Sequence, residues 1–249
     1  MNDTTTTTKL AAPAAPANGA ATVVEALLTR RSVRAFLPTP VPRAEVERLL
    51  ALASRSASNS NSQPWHVHVL TGEPKLRLTE ALWQALDGEG RVAETEYPFQ
   101  PPPEEWEEPF RSRRQTFGEG LYRDTLGIEA HDAEGRLAHH RRNYDFFGAP
   151  VGLVLTVSRS PLAGALIDAG LFLQALMLLA RQAGLDTCPQ ASFIDFYPVL
   201  RQHLKIPDDQ IIVCGLALGH ADPDHRLSRH RTAREPVDTF TTFHSGETV

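Results

Sequence analysis

Apolar residues recur at helical spacing in two stretches near the start of the chain. One runs from Val23 to Arg31; the other, Pro42 to Ser56, sets Val46, Leu49, Leu50 and Ala53 along one face. Trp65 to Thr71 has the composition of a strand, and after a Gly-Glu-Pro turn a helix is predicted from Lys75 to about Leu86. The periodicity is then lost. Residues 88 to 120 carry Pro98, three consecutive prolines from Pro101 and scattered aromatics, so regular structure is not expected there. A long stretch of this kind in a compact chain is usually a lid or disordered, and the aromatics favour a lid-like insert over about 88–135. Patterning resumes with a polar, basic helix (Leu137 to Phe147), an apolar strand (Val151 to Val157) and a long apolar helix. A short strand at Thr187, a helix near Tyr197 to Leu204 and a strand from Ile211 to Leu218 follow.

This order is α+β, or mixed α/β. With 249 residues, 41% of them hydrophobic, the chain can bury a sizeable core, and one domain is expected over residues 22–249. Residues 1–21, rich in Thr, Ala and Pro, read as a disordered tail. From Pro236 to Val249 the sequence is polar with Phe240 and Phe243 spaced along it, as expected of a segment lying across a partner surface.

The long apolar helix changes the picture most. From Pro161 to Ala180 only Asp168 is charged, and the length alone would let it span a bilayer. Asp168 and Gln174 sit near its middle, however, and a mid-bilayer Asp costs roughly 2.5 to 3.5 kcal/mol. The stretch is therefore read as a helix buried on all sides, at the centre of the fold or in a subunit interface, and Asp168 requires a buried partner. A formal net charge of -5 argues against nucleic acid or an anionic membrane as partner. The two cysteines, Cys188 and Cys214, have neither disulfide-framework nor metal-ligand spacing and suit a reducing, cytoplasmic setting. The N-terminal residues do not read as a secretory signal.

Four polar sets are candidates for chemistry. Arg30-Arg31-Ser32-Val33-Arg34 follows a helix, and guanidinium forks suit a phosphate dianion because each donates two parallel charged hydrogen bonds. The same cations would also serve simply to offset a helix C-terminal dipole. Arg229-His230-Arg231 follows a Gly-His-Ala-Asp-Pro-Asp loop; in an extended segment Arg229 and Arg231 point the same way and can share one anion. Ser58 to Trp65 is a dense run of short donors and acceptors, fit for a turn or for the polar edge of a bound ring. In Cys188-Pro189-Gln190-Ala191-Ser192 the proline fixes one φ angle and can aim the following N–H groups at a ligand.

Two rival readings use other residues. His66 and His68 share a strand face, and His220, His225 and His230 cluster later, as a zinc hydrolase would need, but no carboxylate motif accompanies them. Arg111, Arg113, Arg114, Arg141 and Arg142 alternate with glutamates and aromatics, which suits a solvated face or an anionic small molecule better than DNA.

In their order along the chain, the strings RRSVRAF, SNSNSQPW, FFGAPVG, GLDTCPQAS and CGLALGHADPD followed by RHRTAREPVDTF resemble the FMN-dependent nitroreductase superfamily, over nearly all of Val23 to His244. The resemblance implies a central, mainly antiparallel sheet flanked by helices, with a long dimer-interface helix and a C-terminal arm. It implies an enzyme that binds FMN, takes NADH or NADPH as co-substrate and reduces a nitroaromatic or related small aromatic acceptor by a ping-pong mechanism, with no metal. Arg30, Arg31 and Ser32 would hold the FMN phosphate and ribityl chain, and Arg229 and Arg231 would close on the phosphate from the other side. Arg34 would lie beside the N1 and C2 edge of the ring, where positive charge raises the flavin's potential. Pro189, Gln190, Ala191 and Ser192 would line the ring near N5, and Asn143 would reach its pyrimidine edge. Ser58, Ser60 and Asn61 would come from the other subunit of a homodimer with sites across its interface. Tyr97, Phe99, Trp106, Phe110 and Phe117 would wall the acceptor pocket. Classical bacterial nitroreductases do not carry their insert ahead of the strand at Val151, which leaves the acceptor open: a reductive dehalogenase on the same scaffold and a non-catalytic flavin carrier or sensor are the alternatives.

Overall fold

The structure, a computed structural model, describes residues 19–160 and 162–244. The expected disordered tail, apart from residues 19–21, lies outside the described residues, as does the end of the C-terminal segment. Helices α1 (Val23–Thr29) and α2 (Arg43–Ala53) precede strand β1 (Trp65–Thr71) and helix α3 (Gly72–Asp87). Helices α4 (Phe110–Glu119) and α5 (Ala133–Arg141) lead to β2 (Val151–Ser158), α6 (Leu162–Gln182), β3 (Asp186–Gln190), α7 (Tyr197–Leu204) and β4 (Gln210–Gly219). The four strands form one sheet in the order β1-β2-β4-β3, every neighbouring pair antiparallel.

Strand alternation divides the core in two. On one face Leu153, Leu155 and Val157 of β2 join Ile211, Leu216 and Leu218 under α2 and α6. On the other, Val154, Ile212 and Ala217 meet Leu78 and Leu82 of α3, Leu200 of α7 and a group of buried aromatics that includes Phe146, Phe193 and Phe196. A strand covered on both faces reads as a nearly continuous apolar run, and β2 is buried from Val151 to Val157, its one polar side chain, Thr156, satisfied by donating to Gln210 Oε1 at 2.6 Å. This is the α+β architecture the resemblance implied.

Several elements differ from the sequence reading. The Gly-Glu-Pro segment is the first turn of α3, where Pro74 lacks an N–H that has no intrahelical partner anyway. The basic helix starts earlier than Leu137, capped by the Asp132 side chain at Gly135 N (2.8 Å), and stops at Arg141; Phe146 and Phe147 instead occupy left-handed backbone at φ 58° and 55°. The insert is not irregular throughout, since α4 runs into a wide π-type turn, Gly120–Leu126. Its start is pinned to the sheet by Glu96, whose carboxylate pairs with Arg159 (2.9 Å) and Arg201 and accepts from Ile212 N at 3.0 Å.

Helix α6 is not covered all round. Ala165, Ala169, Phe172, Leu176 and Ala180 are buried, while Ile167 and Leu171 point out of the chain. By length and composition it could cross a membrane, but its buried stripe packs on the sheet. The partner sought for Asp168 is the Ser58–Ser62 loop: its carboxylate accepts from Asn59 N (3.1 Å) and Ser62 Oγ (3.4 Å).

Candidate functional site

The Arg30–Arg34 segment leaves α1 in extended conformation and lies along β3, where Val33 N donates to Thr187 O at 2.9 Å and Ser32 bridges Thr187. Farther on, Leu37 N donates to His220 O (2.8 Å) and Asp222 N to Ala35 O (3.0 Å), which draws the chain beyond β4 onto the same edge. The two arginine sets thereby meet. Arg30 has its pKa lowered by burial and then by Arg234; Arg31 has its pKa lowered by burial and then by Arg231. Arg31 Nε is buried without a hydrogen-bond partner. Asp186 offsets part of this charge, but it is already paired with Arg181 at 2.9 Å. Like charges held together with an orphaned buried donor form a site that an anion completes, and phosphate is the anion this donor set fits.

Arg231 is thus brought to Arg31, and Arg229 lies exposed at the end of the preceding turn, Arg226–Arg229. Arg234, which the sequence reading did not single out, is near enough for its charge to lower the pKa of Arg30, while its own guanidinium donates to Thr232 Oγ1 (2.9 Å). Alternation could not reveal it, because it stands three positions beyond Arg231. Arg34 donates to its own neighbour's carbonyl, Ser32 O (3.3 Å), and its guanidinium lies 5.5 Å from the centre of the Phe117 ring.

The Pro189–Ser192 segment runs from the end of β3 into the short helical turn that follows. Gln190 is buried; its Nε2 donates to Asn143 O at 2.5 Å, and its Oε1 has no partner. Thr187 Oγ1 is likewise buried and unpaired. Asn143 is therefore beside the segment, but its side-chain N–H donates to His140 O (2.8 Å), closing its own turn. Ala191 and Ser192 begin the short helical turn Ala191–Phe196.

Of the five insert aromatics, Phe117 comes to the site, edge-on to His230 at 6.1 Å and under Arg34. Tyr97 is a core residue whose hydroxyl donates to Val213 O at 2.7 Å, because Glu96 docks this part of the insert on the sheet. Phe99 packs edge-on to Tyr97 (6.2 Å), Trp106 lies under Arg114 (4.7 Å) and Phe110 under Arg113 (5.9 Å), along the exposed part of the insert. The insert is fastened to the C-terminal segment by Arg113–Glu235 (3.1 Å), by Arg226 donating to Leu126 O, and by an apolar contact among Leu121, Leu126 and Leu227.

Ser58, Ser60 and Asn61 sit at the start of α6, with Ser60 and Asn61 in left-handed backbone at φ 50° and 56°. That conformation costs of order 1–3 kcal/mol per residue, and the residues on either side, Asn59 and Ser62, are anchored by the Asp168 carboxylate. The loop and α6 line an open groove of about 340 Å³. Among the described residues no group of three or more His, Cys, Asp or Glu converges as a metal site.

The model of the nitroreductase family matches residues 27–220. The chain is 51% identical to a 4-nitrobenzoate reductase of Nocardioides sp. (strain LMS-CY), over 86% of each chain. Among solved structures it is similar to the FMN- and NADPH-dependent nitroreductase NfnB of Sphigopyxis sp. strain HMH, with a TM-score of 0.85 and 38% identity, covering 90% of this chain and 99% of that one. The FMN-dependent nitroreductase NfnB of Mycobacterium smegmatis, in complex with NADPH, gives a TM-score of 0.83 at 30% identity, covering 90% and 98%.

Proposed function

This chain belongs to the nitroreductase family, and from that premise we propose that it is an FMN-dependent NAD(P)H oxidoreductase that reduces nitroaromatic acceptors by a ping-pong mechanism, as a cytoplasmic homodimer. The observation that carries the reading is the meeting of Arg30 and Arg31 with Arg234 and Arg231 around an unpaired buried Nε. The names of the relatives, a 4-nitrobenzoate reductase and two FMN-dependent nitroreductases, support the same chemistry and favour a nitroarene over a halogenated acceptor.

Bound FMN would supply the two-electron chemistry, receiving from NAD(P)H and delivering to the nitro group. The chain's own residues bind and orient. Arg30, Arg31, Arg231 and Arg234 grip the phosphate, with Ser32 at the start of the ribityl chain. Arg34 would hold positive charge near the flavin ring, where it would raise the flavin's potential. Pro189, Gln190, Ala191 and Ser192 lie along the ring, Gln190 offering its free Oε1. Phe117, under the Arg34 guanidinium, would help hold it in place. Ser58, Ser60 and Asn61 of the partner subunit complete the site across the dimer seam.

The purified protein should be yellow, bleach anaerobically with NADH or NADPH, recover its colour with 4-nitrobenzoate or nitrobenzene, and repeat the cycle many times. A colourless protein, or a single turnover as a carrier would give, overturns the reading. Replacing Arg231 by Ala should chiefly weaken FMN binding, by about 10- to 100-fold for a lost charged hydrogen bond. Arg34→Ala should slow bleaching more than it weakens binding; equal effects of the two changes would refute this division of roles.

A further inference from the structure

Thr125 and His230 meet where the insert crosses the C-terminal segment, and the protons between them can be counted. The Thr125 hydroxyl donates its one hydrogen to Gly120 O at 2.7 Å. In its 3.0 Å contact with His230 Nδ1 it can therefore only accept, so the imidazole carries its proton on Nδ1. The other ring nitrogen, Nε2, is then a lone-pair acceptor. It is buried and has no hydrogen-bond partner. The surroundings favour this neutral form, because burial and then Arg34 and Arg231 push the His230 pKa below its ordinary value.

A buried acceptor left unmatched is costly, and native structures rarely keep one unless a ligand or water completes it. The position of His230 indicates which ligand atom does so. The ring is close to both Arg231, in the phosphate grip, and Arg34, assigned above to the ring edge. Between the phosphate and the ring of FMN runs a polyhydroxy chain, whose hydroxyls are hydrogen-bond donors. We propose that His230 is a cofactor-binding residue whose Nε2 accepts a hydrogen bond from a ribityl hydroxyl of FMN, and that Thr125 is a positioning residue that sets the required tautomer. The assignment rests on the FMN reading above. It also gives the insert a direct link to the cofactor, since Thr125 lies within the Gly120–Leu126 turn.

The test is titration of the apoprotein, by quenching of flavin fluorescence, with FMN and with its 2′-, 3′- and 4′-monodeoxy ribityl analogues. The wild-type protein should bind one analogue about 3- to 10-fold more weakly than FMN, the range for a neutral hydrogen bond. His230→Phe should bind FMN and that analogue alike. Thr125→Val, which frees the ring to protonate Nε2, should lose much of the discrimination, and the nitrogen chemical shifts of His230 in the wild-type protein should report Nδ1 protonation. Equal binding of all four flavins by the wild type overturns the assignment, as does discrimination that survives in His230→Phe, or protonation at Nε2. Should His230→Phe fail to fold, the wild-type series and Thr125→Val decide. A wild-type protein that takes up no flavin overturns the proposed function and this assignment with it.

Discussion

His139 illustrates what single positions contribute beyond packing. It is buried against Phe147 and edge-on to Tyr122, with ring centres 6.0 and 5.6 Å away, and its pKa is pushed down to about 4, first by burial and then by Arg34, Arg142, His140 and His225. In the unfolded chain the same imidazole titrates near 6.5. Between those values the unfolded state binds the extra proton, so stability is complete above pH 6.5 and is lost as pH falls toward 4. Thermal melts from pH 7.5 to 4.5 should therefore show a decline that is shallower in His139→Phe than in the wild type. An unchanged slope would mean that His139 protonates without penalty. At this scale the sequence was legible where a residue type has few uses: three arginines in five positions, with Arg231 later, pointed to segments that the fold brings together. Arg234 was hidden by its spacing, and Tyr97 was misassigned to the pocket because nothing local shows that Glu96 is tied to β4.

Elements were legible where one period governed them. Strand β2 and helix α6 have their packing written into adjacent residues, and both were found. Helix α4 was missed because the prolines just ahead of it break the periodicity and, of its two aromatics, Phe117 packs on Arg34 and His230, far along the chain. The sheet also depends on a fit that no period reveals: a Cβ on Gly152 would lie 2.6 Å from the Phe146 ring, and one on Gly215 2.7 Å from Phe193. Both rings are fully buried and cannot swing away. Gly152→Ala should cost about 1–3 kcal/mol through overpacking, read from the urea midpoint. A wild-type midpoint would show that the aromatic layer yields more readily than its burial implies.

For the molecule as a whole, the unburied apolar surface is the informative feature. Val23, Val24 and Leu27 of α1, Ile167 and Leu171 of α6, and Phe240 and Phe243 (70% and 73% exposed) all face outward from one chain. Apolar surface on this scale usually marks an interface. Sedimentation should give twice the 27.4 kDa chain mass, and the pair Phe240→Asp and Phe243→Asp should shift the equilibrium toward monomer and release FMN. A wild-type monomer that retains FMN would refute the cross-interface site. Two parts of this surface were legible in the sequence, the apolar helix as a subunit-interface candidate and the segment carrying Phe240 and Phe243 as one lying across a partner, but not the exposed residues of α1, whose short apolar run reads as an ordinary core-facing helix. If the proposed phosphate site forms as described, its division between the two ends of the chain also orders events during synthesis. Arg30 and Arg31 precede the first strand of the sheet and Arg231 and Arg234 follow the last. A nascent polypeptide that has exposed every strand but not yet Arg231 and Arg234 would hold only half of that proposed site, so coenzyme loading would wait for the segment after β4 to emerge.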